Sequence, residues 1–179
     1  MRKRTIHFMT FALVGLFTIS CTQSAEQPKE EPTPTEVESH NLEFRDFGND
    51  PFVFNIEDYT KENETYRTAL WTGEYMQLTV MSILPGDDIG LEVHHDHDQF
   101  LRVEEGEGLV LMGDTEDNLS FQKRVEDDFA IMVPAGKWHN VVNDTNKPLK
   151  LYSIYAPREH GKNTVHQTKE EALADEHDH

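Results

Sequence analysis

Residues 86–106, GDDIGLEVHHDHDQFLRVEEG, and residues 128–143, DFAIMVPAGKWHNVVN, decide how this chain folds and where its chemistry lies. The first stretch is bounded by Gly86 and Gly106 and carries His94, His95 and His97 within four positions, a density that points to a metal site. Successive side chains of an extended strand face opposite ways, so Gly90, Glu92 and His94 share one face and Ile89, Leu91 and Val93 the other. Glu92 and His94 can then aim together at one ion, whereas His95 looks away unless a bulge intervenes. The second stretch places His139 and Asn143 shortly after a Pro134-Ala135-Gly136 turn.

Outward from these stretches, short segments rich in β-branched and aromatic residues recur: FVFNI, YRTALWT, YMQLTVMSIL, GLEVH, QFLRVEE, GLVLM, FAIMVP, WHNVV and LKLYSIYA. Gly, Pro, Asn or Asp punctuates most of the intervals, as at Pro85-Gly86, Gly106, Gly113-Asp114, Asp127-Asp128 and Asn146-Lys147-Pro148. Many short strands at this spacing predict an all-β sandwich or barrel. The apolar patterning spans residues 44–157, enough for one domain and too little for two. No internal repeat is present.

Together the two stretches resemble the cupin superfamily. Its first motif runs Gly, five residues, His-x-His, three or four residues, Glu, six residues, Gly. Here Gly86, five residues, Glu92-Val93-His94, four residues, Gln99, six residues and Gly106 keep every spacing, with Glu92 for the first His and Gln99 for the Glu. The second motif, Gly, five residues, Pro-x-Gly, two residues, His, three residues, Asn, matches Asp128, Pro134-Ala135-Gly136, His139 and Asn143, with Asp128 for the Gly. The resemblance implies a single-domain cupin double-stranded β-helix, a jelly-roll barrel with one divalent metal in its mouth held by Glu92, His94, Gln99 and His139. GLEVH, DQFLRVEEGEG, VPAGKWHN and LKLYSIYAP look more narrowly like a group of small bacterial cupins whose sugar-isomerase-like labels rest on fold analogy.

The alternative register, with His95-Asp96-His97 as the metal motif, puts Leu101 or Arg102 at the carboxylate position and breaks the glycine spacing. His95 and His97 are therefore read as residues of a solvated turn. Relative to the family's three His and one Glu, the set Glu92, His94, Gln99 and His139 carries the same single negative charge. A mixed nitrogen and oxygen set with open positions suits Mn, Fe, Ni or Zn. The alternative is a metal-free polar pocket. Trp138, Tyr152 and Tyr155 are read as core or rim aromatics, and Lys137 as a solvated lysine with an anionic substrate as its other use. If Glu92 and His94 face the barrel interior, Ile89, Leu91 and Val93 face out and need a cover. A second subunit is one such cover, giving a homodimer, and FVFNI is the intrachain rival.

The flanks are of other kinds. Residues 1–20 run from Arg2-Lys3-Arg4 through an apolar stretch to Ser20 and read as a signal peptide, too short for a comfortable membrane span. Cys21 is the only cysteine, which excludes an intrachain disulfide. Its setting resembles the lipobox of bacterial lipoproteins, although Thr18 stands where Leu or Val is usual. The resemblance implies lipidation of Cys21 and anchoring in the periplasm or on the outer membrane; an ordinary cleaved signal would leave the protein secreted. Residues 21–43 are rich in Pro, Glu, Thr and Ser and read as a disordered tether. Loss of residues 1–20 removes three positive charges and takes the formal charge from −18 to −21. That excess disfavours nucleic acid as a partner and fits poorly with a phosphorylated sugar. Residues 158–179 form a polar tail, disordered or helical from Thr168 to Glu176, where Thr168-Lys169-Glu170-Glu171 resembles a capping box. The closing His177-Asp178-His179 could take a stray ion.

Two functions remain open at this point. One is an extracytoplasmic metalloenzyme of isomerase or dioxygenase type acting on a small molecule. The other is a non-catalytic module that binds a small molecule or sugar in the barrel mouth. Neither a nucleophile pair nor a separate acid–base dyad can be read from the residues.

Overall fold

A computed structural model describes residues 41–176. The expected signal peptide, Cys21, residues 21–40 of the tether and His177-Asp178-His179 lie outside the described residues. Helix α1 (Ile56–Glu62) is followed by β1 (Arg67–Thr72), β2 (Gln77–Ile83), β3 (Asp98–Glu105), β4 (Glu107–Gly113), β5 (Phe121–Glu126), β6 (Ala130–Val133), β7 (Trp138–Val142), β8 (Leu149–Ala156), the short β9 (Val165–His166) and α2 (Lys169–Glu176). The strands form two antiparallel sheets, ordered β6-β3-β8-β2-β1-β9 and β5-β4-β7. This is an all-β arrangement, as the strand spacing predicts, and the jelly roll that the motif resemblance implies.

Register sorts the side chains. In the larger sheet Val103 lies opposite Leu151, and Leu151 opposite Met81, so all three enter the core between the sheets with Val110 of β4 and Val141 of β7. Two residues toward the mouth, Leu101, Ser153 and Thr79 share a row; two further on, Gln99, Tyr155 and Gln77 do. The interior therefore changes from apolar to polar along the barrel, and the polar end is where chemistry can be placed. Leu78, Val80 and Tyr152 point the other way and build a second cluster on the outer face of the sheet.

The outer cluster is covered by residues 42–62, which explains why β2 is buried on both faces. FVFNI, expected as a strand, makes no ladder. Phe52 stacks on Phe47 (4.0 Å between centroids) and Phe54 on Phe52 (4.4 Å), while Val53 between them is 98% exposed. Asn55 then caps α1, its side-chain oxygen accepting from the Glu57 amide at 3.1 Å, with Glu57 and Asp58 at the positive end of the helix. An aromatic row buried on one side without a neighbouring strand obeys strand periodicity but not strand pairing. The opposite miss is β5, FQKRVE, absent from the expected strands because only Val125 of it is buried.

The motif's turn positions have a backbone reason. Gly106 has φ +91°, and a Cβ there would meet the Pro148 carbonyl oxygen at 2.5 Å. Asp128, which stands for a family glycine, adopts φ +70°, a left-handed conformation that Asp tolerates better than most residues, and its carboxylate pairs with Arg102.

Residues 158–176, expected as a polar tail, dock on the barrel. Gln77 donates from Nε2 to the His160 carbonyl (3.0 Å) and accepts from the His160 amide (2.8 Å). Strand β9 pairs with β1, and Ala172 of α2 is buried in the main core. At the start of α2 the Thr168 hydroxyl accepts from the Glu171 amide (3.4 Å), while Glu171 reaches back to the Gln167 amide (2.6 Å), a variant of the expected box shifted by one position at its return bond. Lys169 ties the helix to Asp87 (3.0 Å) and Asp88 (2.8 Å). These contacts join residues distant in sequence, so no local pattern announces them.

Candidate metal centre

Residues 88–94 run beside β7 as an extended segment held at two isolated bridges, Asp88 opposite Val142 and Glu92 opposite His139. Glu92 and His139 exchange both backbone hydrogen bonds, at 3.1 and 2.9 Å, which sets their side chains next to each other. The expected alternation fails at Ile89, and Val93, also expected outside, is half-buried and lines the same cavity as Glu92 and His94. Ile89, assigned to the outer face, is 4% exposed and packs in the core, because Gly90 with φ +98° interrupts the extended run between Ile89 and Glu92. Leu91 does face outward, at 40% exposure. The apolar outer stripe proposed as a dimer face thus loses Ile89.

The four expected ligands meet at the polar end of the barrel. Glu92 Oε1 lies 3.2 Å from His139 Nε2 and 3.5 Å from His94 Nε2. Gln99 is oriented by Ser153: its Nε2 donates to Ser153 Oγ (2.9 Å), whose hydroxyl turns to the Phe100 carbonyl (3.4 Å). That leaves Gln99 Oε1 2.8 Å from His139 Nε2. On its other side, His139 Nδ1 lies 3.0 Å from the Lys137 carbonyl, which can only accept, so the ring proton belongs on Nδ1. His139 Nε2 then presents a lone pair to two oxygen lone pairs, while Glu92 Oε1 and His94 Nε2 are buried without hydrogen-bond partners. Such a set is unsatisfied alone and satisfied by a cation among the four groups. The residues therefore fit a divalent ion.

The electrostatics agree with that fit. Burial by itself raises the pKa of the Glu92 carboxyl, but the nearby His139 and His94 imidazoles outweigh it and hold the group far below the usual carboxylate range. Burial works against the charged form of His94, and Glu92 beside it more than offsets this, raising its pKa. Tyr155 forms the floor, with ring centroids 5.7 Å from His94, 6.2 Å from His97 and 5.2 Å from His160. Burial pushes its hydroxyl up to about 12, and burial together with the charge of Arg67 takes His160 down to about 3. Tyr155 and Tyr152 are core aromatics, as expected; Trp138 is half-buried, and Lys137 pairs with Asp114.

His97 departs from the expectation. His95 is exposed as a turn residue should be, but His97 is only 6% exposed and its ring stacks on His94 (4.5 Å, 21°). The turn folds inward at that position because Asp96 takes its Nδ1 at 2.8 Å and Glu159 faces its Nε2 at 3.4 Å. Among the described residues, two groups bring at least three metal-ligating atoms within 4.8 Å of one another: Glu92, His94 and His139, and His94, His97 and Glu159. Glu92, His94, Glu159, His160, His166 and Asp175 line a cavity of about 330 Å³. Glu159, His160 and His166 escaped the sequence reading because they follow the last motif at no fixed spacing; the only signal was that His and Glu persist after LKLYSIYA.

Comparison with known proteins places this arrangement. The family model described as "Cupin domain" matches residues 79–155. The Bacillus subtilis protein YrkC is 58% identical over 139 residues, covering 78% of this chain and 75% of that protein. Protein L612 of Acanthamoeba polyphaga mimivirus is 37% identical over 113 residues, 63% of this chain and 69% of that one. The crystal structure of BH2720 from Bacillus halodurans is similar with a TM-score of 0.72 and 62% identity, covering 73% of this chain and 98% of its own. With the barrel, the two motifs and the matching relatives in agreement, this chain belongs to the cupin superfamily as a small single-domain member.

Proposed function

We propose that this protein is a metal-dependent cupin that holds one divalent ion, Mn, Fe, Ni or Zn, through Glu92, His94, Gln99 and His139 and acts on a small molecule in isomerase- or dioxygenase-type chemistry. The observation that carries this reading is the convergence of Gln99 Oε1 and Glu92 Oε1 on His139 Nε2, whose proton is drawn to the Lys137 carbonyl. A bound ion would supply Lewis acidity or a site for dioxygen. The chain's own residues orient and exclude: Ser153 fixes the Gln99 amide, Lys137 fixes the His139 ring, and Tyr155 closes the floor against water. Glu92 is the carboxylate available to take a proton from a substrate if it leaves the ion.

An apolar cleft favours the second reading, a non-catalytic binding module. It measures about 510 Å³, is lined by Met112, Phe121, Phe129, Ile131 and Met132 among others, and shares no lining residue with the histidine cavity. Its size suits a small ligand, but none of the four candidate ligands lines it. We assign function to the histidine cavity for that reason. Lipidation of Cys21, placement in the cell envelope and homodimerisation belong to the same proposal. Among the described residues no helix is long and apolar enough to cross a membrane.

Metal analysis of the purified protein, followed by oxygen-uptake and isomerisation screens, tests the reading. Turnover abolished by a chelator and restored by one divalent ion supports the enzyme. Tight binding of a small molecule with no turnover in any metal form favours the module, and a protein that takes up no divalent ion refutes the metal reading.

A further inference from the structure

The HHDHD turn contains more chemistry than the cupin motif uses. His97 is two residues from Gln99, yet its side chain is 3% exposed, and its Nε2 is buried without a hydrogen-bond partner. Asp96 Oδ1 sits 2.8 Å from Nδ1, so the ring proton is directed there and Nε2 is left with its lone pair. That lone pair faces Glu159 Oε2 at 3.4 Å, while Glu159 Oε1 lies 3.6 Å from Nδ1 of His94. The contacts are long for hydrogen bonds, but the three donors converge within 4.8 Å. A histidine whose far nitrogen donates to a carboxylate is the usual outer support of a metal ligand, because the carboxylate fixes the ring and raises its basicity. Here Asp96 supplies that support to a residue outside the family's four ligand positions.

The geometry points to a second divalent-cation position, outside the first, formed by His97 Nε2 and the Glu159 carboxylate with His94 Nδ1 as the shared ligand. Two imidazole nitrogens and a carboxylate select borderline ions such as Zn(II), Ni(II) or Cu(II) over Mg(II) or Ca(II). Charge favours occupancy, since Glu92, Asp96 and Glu159 bring three carboxylates around the stacked His94 and His97 rings. With both positions filled, His94 would serve the inner ion through Nε2 and the outer one through Nδ1, and would have to give up its ring proton to do so. The outer position opens on the 330 Å³ cavity, so its ion would meet whatever enters there. It shares His94 with the inner site but needs no ion in it.

The test counts ions. Zn(II) uptake is measured by equilibrium dialysis against a chelator-buffered free concentration, with elemental analysis, in a background where His177 and His179 are both Ala so that the chain end adds nothing. His97→Ala and Glu159→Gln should each bind one ion fewer per chain than the parent, and His95→Ala the same number. Asp96→Asn, an exposed change that spares the fold, should weaken the outer ion about 10- to 100-fold. Unchanged ion counts in both His97→Ala and Glu159→Gln, with unchanged affinity in Asp96→Asn, overturn the proposal. Failure of the inner site looks different: His139→Ala would then leave the parent's count unaltered while His97→Ala still lowers it.

Discussion

Asp46 is the buried anion that ties the N-terminal cover to the rest of the barrel, and its replacement by Asn has a calculable result. Only 7% exposed, its Oδ1 accepts from the Gly48 and Thr72 amides, both at 2.9 Å, and its Oδ2 accepts from the Asn163 amide at 3.0 Å. One carboxylate thus clamps residues 46–48, the end of β1 and the segment that carries Glu159 and His160. In Asp46→Asn the amide oxygen can keep the first two bonds, but its NH2 would face the Asn163 N–H, donor against donor. Leaving this part-buried amide unsatisfied costs at the low end of about 1–3 kcal/mol, and losing the charge weakens the remaining buried bonds, so we expect about 1–3 kcal/mol at neutral pH. Burial raises the pKa of Asp46, but hydrogen bonds from the Thr72 side chain and the Asn163, Gly48 and Thr72 amides outweigh it, and the folded value is lowered. The sign follows: a depressed folded pKa gives stability that is present above the unfolded value of about 3.9 and is lost as pH falls through the folded one. Urea unfolding of the wild type and Asp46→Asn at pH 7 and near pH 2.5 measures both effects. The difference should narrow on acidification; an equal difference at the two pH values, or none at pH 7, refutes the reasoning.

Other expectations concern the site and the surfaces. His139→Ala should remove the inner ion, and Glu92→Gln should weaken it about 10- to 100-fold by deleting that set's one negative charge; elemental analysis that finds full inner occupancy in either would count against the ligand assignment. His94→Ala, which touches both ligand groups, should lose the most metal of any single change. Cys21→Ser should move the protein from the membrane fraction to the soluble one with an unchanged circular dichroism spectrum, and a variant that stays membrane-bound rejects the lipid anchor. Leu91→Arg should yield monomers if the outward-facing Leu91 lies between two subunits; a wild type that sediments as a monomer at high concentration rejects the dimer.

What could be read along the chain is what depends on short-range geometry. Turns at Gly86, Gly106, Asp128 and Gly136 need or tolerate positive φ and strands between them alternate side chains with a period of two, which is enough to predict an all-β fold and to set Glu92 and His94 on one face; the barrel and the places of Gln99 and His139 came from the resemblance of the two motifs to the cupins. The same rule misplaced Ile89, where one positive-φ glycine shifts the alternation, and took FVFNI for a strand, since periodicity reports which side is buried and not what buries it. The tertiary structure alone decided the rest. His97 turns inward because Glu159, sixty-two positions later, comes back to meet it. Glu159 returns because the buried Gln77 side chain holds the His160 backbone and Asp46 holds Asn163. Those are hydrogen bonds between residues far apart in sequence, whose spacing follows no repeat; their partners are chosen by packing, and packing is not written in any local pattern.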